Sequence, residues 1–466
     1  MMMVSANLHV HEVLMLTINQ ALLRIKGNLE HFIPQQLIQR LADERHLGLR
    51  ERTLTPVVTT YLFLQQILDG NRPCGRLRHL SGLDFTDSAY CQARGRLPFA
   101  FFQALQHAVT GRCLSDDVLR PEDRWHGHDV FLMDGSSFSM PDTAELRDEF
   151  GQPSGQAPGC GFPCAHLLVV CNALTGYIRK VLAAPLYTHD MSKVPLLHPA
   201  VPRNAVLVGD RAFCSYAHLA LCGQRGIYGL FRAHQKTIID FHPGRRHAPP
   251  GMSTRAAKGL PRSKWLKRLG AHDQLVEYYK PKECPVWMSA ADYAALPESL
   301  VVREVRYRIT VPGRRTHEVT LVTTLLNRRR YSRRALALLY RLRWRIETNL
   351  KHLKDSMRMD VLRCQTFVGV MKELTMFVTV YNLVRRVMRQ AAQQQGVPVE
   401  RISFIDAWRW LSEARPGDPL PALNVVPERS ERVEPRVRKR RPKNYPLMRK
   451  PRAELRQALI DKKDAA

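Results

Sequence analysis

The sequence predicts an α/β core, preceded by a helical region, interrupted by a β-rich segment and followed by a basic tail. Three observations carry that prediction. From about residue 125, short apolar runs bounded by polar residues alternate with helical segments, the pattern of an open sheet with crossing helices. Before that point apolar residues recur at helical spacing. The 71 Lys and Arg exceed the 42 Asp and Glu by 29, a surplus that needs a polyanion or solvent. Nucleic acid is the leading partner, and an anionic membrane surface a poor second.

The elements follow in order. Leu14, Ile18, Ala21, Leu22 and Ile25 mark a first helix, with Gly27 as its stop. Pro56 opens a second, Val57 to Leu68, which ends at Asp69-Gly70-Asn71. Ser88 caps a third, carrying Tyr90, Arg94 and Arg96, before Pro98 and the aromatic stretch from Phe99 to Phe102. Small helices with clustered arginines suit a helix-turn-helix reader and equally a bundle with a solvated basic face. The period then changes. Strands are expected at Asp129–Asp134, Leu167–Cys171, Tyr177–Leu182 after a turn at Thr175-Gly176, Ala205–Val208 and Ile227–Phe231. Helical segments are expected around Pro195–Pro199 and Ser215–Arg225. A basic, Gly/Pro-bearing stretch, His242 to Arg268, leads into strands at Gln274–Tyr279, Val301–Thr310 and Glu318–Leu326. One long helix is expected from Arg333 to Met357 and another from Val368 to Ala392.

This gives domains at 1–120 (helical, DNA-binding), 121–234 (first part of the core), 235–335 (β-rich insertion), 336–395 (second part of the core) and 396–466 (C-terminal region with the tail). The tail, Arg429 to Lys463, holds 14 Lys/Arg against Glu431, Glu434, Glu454 and Asp461, with four prolines. That composition makes a poor core and a good basic arm.

Composition also excludes classes. With 45% apolar residues the chain is not a disordered polymer. No apolar run approaches the ~18 residues of a membrane span, so no membrane protein is expected. The N-terminus lacks a secretory pattern, and ten scattered cysteines suit a reducing compartment. A cytoplasmic protein is the expectation.

The chemistry gathers at few positions. Asp134 ends an apolar strand and precedes Gly135-Ser136-Ser137; Asp210 ends another and precedes Arg211-Ala212-Phe213. Strand ends in open α/β sheets leave room for substrate, and paired carboxylates suit Mg²⁺ or Mn²⁺. A single such Asp is as readily a turn or cap residue. On one continuous helix at about 100° per residue, Tyr340, Arg343, Glu347 and Lys354 fall within a stripe of about 60°. Arg341 and Arg345 fall off it, at about 100° and 140° from Tyr340. A carboxylate between two cations and a phenol suits a metal ligand beside a phosphate clamp, and also a solvated face with an i,i+4 ion pair. His126 and His128 are read as surface or phosphate-facing. Cys160, Cys164 and His166 lack a second Cys pair, so zinc is not expected there. Phe377, Tyr381 and Val384 are read as helix core.

Taken together, Asp134, Asp210-Arg211-Ala212-Phe213 and Tyr-(2)-Arg-(3)-Glu-(6)-Lys at 340, 343, 347 and 354 resemble the DDE transposases of bacterial insertion sequences. The similarity is to the subgroup with the Tyr-Arg-Glu-Lys signature, over about residues 125–390, with the β-rich insertion in place. The resemblance implies a ribonuclease-H-like fold and two divalent metals, Mg²⁺ or Mn²⁺, on Asp134, Asp210 and Glu347. It implies DNA contacts from Tyr340, Arg343, Lys354 and Arg211. It also implies double-stranded DNA as partner, namely terminal inverted repeats and a target, engaged by a homodimer in the bacterial cytoplasm. Related enzymes hold a flipped base with an insertion-domain aromatic; spacing selects neither Trp265 nor Trp287 for that role. Two alternatives share this composition: a nuclease that cuts without joining, and a DNA-binding protein that no longer turns over. Inverted repeats flanking the gene would separate them from a transposase.

The tail generates a prediction. Deleting it from Arg429 should weaken DNA binding in a salt-dependent way. If it makes three phosphate contacts, the slope of log K against log salt should flatten by about 2.7. A salt titration of binding checks this; an unchanged slope assigns the tail to solubility or protein contacts.

Overall fold

Apolar runs that are buried on both faces organise the sheet. The structure, a computed structural model, describes residues 18–27, 29–47, 53–116, 123–153, 159–188, 190–250, 252, 256–309, 317–415, 417–428 and 450–464. These form two compact units. One draws on 1–118, 138–149 and 350–428, the other on 119–137, 150–349 and 429–466.

The second unit is built on a nine-stranded sheet. Its strands are β1 (Val130–Ser139), β2 (Cys164–Asn172), β3 (Ile178–Pro185), β4 (Val206–Gly209), β5 (Tyr228–Arg232), β6 (Ser263–Gly270), β7 (Asp273–Tyr279), β8 (Ser299–Ile309) and β9 (His317–Thr323). Their order is β3-β2-β1-β4-β5-β9-β8-β7-β6. The short β4 is buried throughout, as a continuous apolar run between parallel neighbours should be. It pairs in parallel with β1, Val130 to Leu132 opposite Val206 to Val208, and with β5. β2 and β3 are antiparallel.

The strands expected as a separate insertion continue this sheet. β9 pairs antiparallel with β5, Leu230 opposite Thr323, and β8, β7 and β6 follow as a meander. Phe131, Leu168, Leu207 and Phe231 share one core cluster with Val276, Val302 and Val322. β6 was not expected. It starts within the stretch read as basic and Gly/Pro-bearing, His242 to Arg268, because an edge strand carrying Lys264, Lys267 and Arg268 hides its period behind charge. In the meander Arg303 is fully buried. Its Nε and Nη2 donate to Asp273 at 2.7 and 2.6 Å, and its Nη1 to the Tyr331 carbonyl at 2.7 Å.

Other boundaries moved for local reasons. β1 runs past Asp134 to Ser139, so Asp134 lies within a strand, two residues beyond the last pair with β4. Around Pro195–Pro199 the chain makes two 3-10 turns, Val194–Leu196 and His198–Ala200, where proline removes the donors a longer helix needs. The expected helix Arg333–Met357 is two helices, Arg333–Arg341 and Trp344–Lys351, then a π turn, His352–Ser356. Between the helices the hydrogen bonds tighten: Leu342, Arg343, Arg345 and Ile346 each donate three residues back. Within the tail, Arg452–Asp464 is a helix with no buried residue. Arg429 to Arg449 and Leu14 lie outside the described residues.

The first unit is helical. Pro56–Leu68 starts on Pro56, with the Thr55 hydroxyl accepting from the Val58 N–H, and is buried on nearly every side. The third helix is Asp87–Arg96, capped by Thr86 rather than Ser88. Arg94, expected among a reading cluster, is half-buried in the bundle: it lies 4.5 Å over the Phe63 ring and donates to Gln66 at 3.0 Å. Contrary to expectation, Phe367–Gln395 is long and apolar enough to cross a membrane. However, 78% of its most apolar window is buried in protein, which makes it a core helix. Its Asn382 is fully buried, and Phe377, Tyr381 and Val384 are core as expected. Glu373 on this helix accepts from the N–H groups of Arg363 and Cys364 and from Asn71.

Removing Asp273 while Arg303 remains should be costly, because it leaves an uncompensated buried charge. Asp273→Asn is expected to lose about 3–5 kcal/mol. Urea unfolding checks this, and a loss under about 1 kcal/mol would show that the pair is dispensable.

Candidate active site

Three carboxylates reach one region of the sheet from three elements. Asp134 comes from β1, Asp210 from the end of β4, and Glu347 from the first turn of Trp344–Lys351. Each is held locally. The Asp134 Oδ1 accepts from the Gly135 N–H at 2.9 Å. The Asp210 Oδ1 accepts from the Ala212 N–H at 2.7 Å, capping the 3-10 turn Arg211–Phe213. Gly209 before it permits close packing, since a Cβ there would lie 3.2 Å from both the Phe213 and Phe231 rings.

Arg343 joins two of the acids. Its Nη2 lies 2.7 Å from the Glu347 carboxylate and its Nη1 3.7 Å from that of Asp134. The i,i+4 pair foreseen in the sequence is therefore present, and the same guanidinium also faces Asp134. Burial pushes the Asp134 carboxyl up to about 6; the Gly135 N–H and Arg343 oppose that shift, and Asp210 and Glu347 add to it. Asp134 therefore feels both of the other acids. They are not drawn to within 4.8 Å of each other. Among the described residues the one group of three metal-type ligands that close is His198, His218 and Cys222.

The remaining predicted residues fall as follows. Tyr340 is buried at the end of Arg333–Arg341, and burial pushes its phenol up to about 12, against the pull of Arg343 and Arg232. It therefore keeps its proton at neutral pH. Arg211 is exposed and donates to Gln235 at 2.9 Å. Lys354 stands in the π turn His352–Ser356, so the single straight stripe does not extend to it. Arg345, expected as a spare cation, donates to the Ala173 carbonyl at 3.0 Å.

His128 corrects the surface reading. It is buried, with Nδ1 2.6 Å from the Asn204 carbonyl and Nε2 2.7 Å from the Tyr331 hydroxyl, while His126 is exposed. Cys160 is buried, and Trp287 packs against the core. Trp265 lies in β6. One residue was missed: Trp344 is 65% exposed with Arg343 5.2 Å over its ring. Its signal was a large aromatic inside the Tyr340–Glu347 motif, where a regular helix gives no reason to expose it.

Residues 125–383 match the model of the transposase DDE domain, and the chain belongs to that family. It is a DDE transposase, and enzymes of this family use divalent metal ions. It is 23% identical over 453 residues to the transposase InsG for insertion sequence element IS4 of Escherichia coli K12, covering 90% of this chain and 93% of that protein. It is 28% identical over 145 residues to the putative transposase InsZ of the same organism, covering 30% and 46%. The piggyBac transposase synaptic complex with hairpin DNA aligns over 84% of this chain and 79% of that one, at a TM-score of 0.42 and 12% identity.

The Asp134 carboxyl yields a stability prediction for metal-free protein. Its folded value of about 6 lies above the ordinary 3.8, so the folded state holds the proton more tightly. That contribution is full below pH 3.8 and is lost as pH rises from 3.8 through 6. Asp134→Asn should then raise Tm at pH 7.5 by roughly 1–3 °C in the presence of a chelator, and by less at pH 5. Thermal melts check this; a fall in Tm at pH 7.5 would mean that the Arg343 contact outweighs burial.

Proposed function

We propose that this transposase binds the ends of its own insertion sequence, hydrolyses phosphodiester bonds to free 3′-OH ends and joins them to target DNA. In this reading Asp134, Asp210 and Glu347 hold two divalent ions, Mg²⁺ or Mn²⁺. The observation that carries it is the gathering of three carboxylates from β1, β4 and a helix: the Arg343 guanidinium lies against Asp134 and Glu347, and the charges of Asp210 and Glu347 both reach the Asp134 carboxyl. An oxygen-only, acidic donor set suits hard divalent cations. The strand order β3-β2-β1-β4-β5, with β1, β4 and β5 parallel, supports a ribonuclease-H-like core.

When bound, such ions activate an attacking oxygen and stabilise the leaving 3′ oxygen. The chain's own residues supply the rest. Arg343 presents two nitrogens in a fork that fits a phosphate as well as it fits carboxylates. Tyr340, protonated, donates to a phosphate oxygen. Arg211 adds positive charge for the strand, and exposed Trp344 offers a ring on which a base stacks. The spacing at 340, 343, 347 and 354 supports the Tyr-Arg-Glu-Lys subgroup. Double-stranded DNA, as terminal repeats and target, is the substrate. The cut of two ends in one complex favours a homodimer, and the site of action is the bacterial cytoplasm.

Asp210→Asn and Glu347→Gln should lower Mg²⁺-dependent cleavage of the element's ends by more than about a thousandfold. Gel-shift affinity should hold or rise, since an acid facing phosphate is removed. Cleavage at wild-type level in either variant would take that acid out of the mechanism.

A further inference from the structure

His198, His218 and Cys222 have the residue types of a metal site, and all three are fully buried. Their geometry points elsewhere. The two imidazole rings are 7° from parallel with centroids 5.1 Å apart, while their Nε2 atoms are 3.0 Å apart. The rings therefore meet nitrogen to nitrogen, edge to edge. A tetrahedral ion at ~2.0–2.1 Å from each nitrogen would need them about 3.3–3.4 Å apart, with both rings aimed at the ion rather than at each other. What fits in 3.0 Å is one N–H···N hydrogen bond.

The direction of that bond follows from its far end. The His218 Nδ1 lies 2.7 Å from the Phe213 carbonyl oxygen. A carbonyl only accepts, so Nδ1 carries the proton. Burial pushes His218 down to about 4 and His198 down to about 3, so each ring is neutral with one proton. The His218 Nε2 is then a lone pair, and His198 donates to it from Nε2. This leaves the His198 Nδ1 bare, and that atom has no hydrogen-bond partner among the described residues. Burial pushes the Cys222 thiol up to about 12, so it too stays neutral, with its Sγ 3.9 Å from the His198 Nε2.

The chain of donors runs from His198 to His218 to Phe213, and Phe213 closes the 3-10 turn that Asp210 opens. The turn is pinned at three points: the Asp210 Oδ1 on the Ala212 N–H, the Phe213 ring in the core, and the Phe213 carbonyl under His218. We propose that His218 is a positioning residue for DNA cleavage: its Nδ1–H fixes the turn that orients the Asp210 carboxylate, which would hold a divalent ion, and His198 locks its tautomer. The proposal rests on Asp210 being a metal ligand.

The test is Mn²⁺ binding to the full-length protein without DNA, measured by calorimetry. His218→Asn places an amide donor near the imidazole Nδ1 position, whereas His218→Gln places it near the Nε2 position. The two variants are similarly polar and similar in size, so their effects on folding should be comparable. His218→Asn should bind Mn²⁺ within about threefold of wild type, and His218→Gln should bind at least about tenfold more weakly. Equal affinity in the two variants overturns the proposal. An Asp210→Asn protein that binds Mn²⁺ like wild type would instead remove Asp210 as a ligand, and with it the premise. Should neither His218 variant fold, imidazole ¹⁵N–¹H correlation spectra of the wild type at pH 7 decide. Protons on His218 Nδ1 and His198 Nε2 are expected, and the reverse assignment overturns the proposal.

Discussion

Like charges do not gather unaided, and the site depends on how this chain makes three carboxylates neighbours. Asp134 shows the strain most directly. Burial, Asp210 and Glu347 all favour its protonated form, while the Gly135 N–H and Arg343 favour the ion. Arg343 is the counter-charge that holds the arrangement, facing Glu347 on one side and Asp134 on the other. The same excess of negative charge would attract a divalent cation, the kind of ion that enzymes of this family use.

The sheet supplies the positions. β1 and β4 are parallel neighbours, so acids at comparable heights on the two strands come close without any contact in sequence. Phe213 and Phe231 pack over Gly209 and leave the Asp210 turn no freedom to drift. The break at Leu342–Arg343 turns the third contributor. Its tightened hydrogen bonds and the Arg345 anchor on Ala173 set where Trp344–Lys351 begins, and so where Glu347 points. Regular helix geometry would have carried Trp344 and Arg345 elsewhere.

Much of this was legible in the residues. The α/β class, the positions of β2, β4, β5, β7, β8 and β9 to within a few residues, and the Arg343–Glu347 pair all follow from local period and spacing. These properties depend on near neighbours in the chain, which is why a one-dimensional pattern carries them. The charge surplus and the order of Asp134, Asp210 and the Tyr340–Lys354 motif pointed to the DDE transposases, and the family match bears that out.

Only the tertiary structure decided the rest. That β9 would pair with β5 and merge the expected insertion into one sheet depends on hydrogen bonds between strands about ninety residues apart. That β6 exists at all depends on β7, because its own sequence reads as charge. His128 reads as a surface residue until Asn204 and Tyr331 close over it, and His218 reads as a helix residue until its ring meets Phe213 and His198. Sequence sets which groups are available and how they repeat along the chain. Which of them become partners is set by packing between distant segments, and that is where this chain's carboxylates, their counter-charge and their supports were assembled.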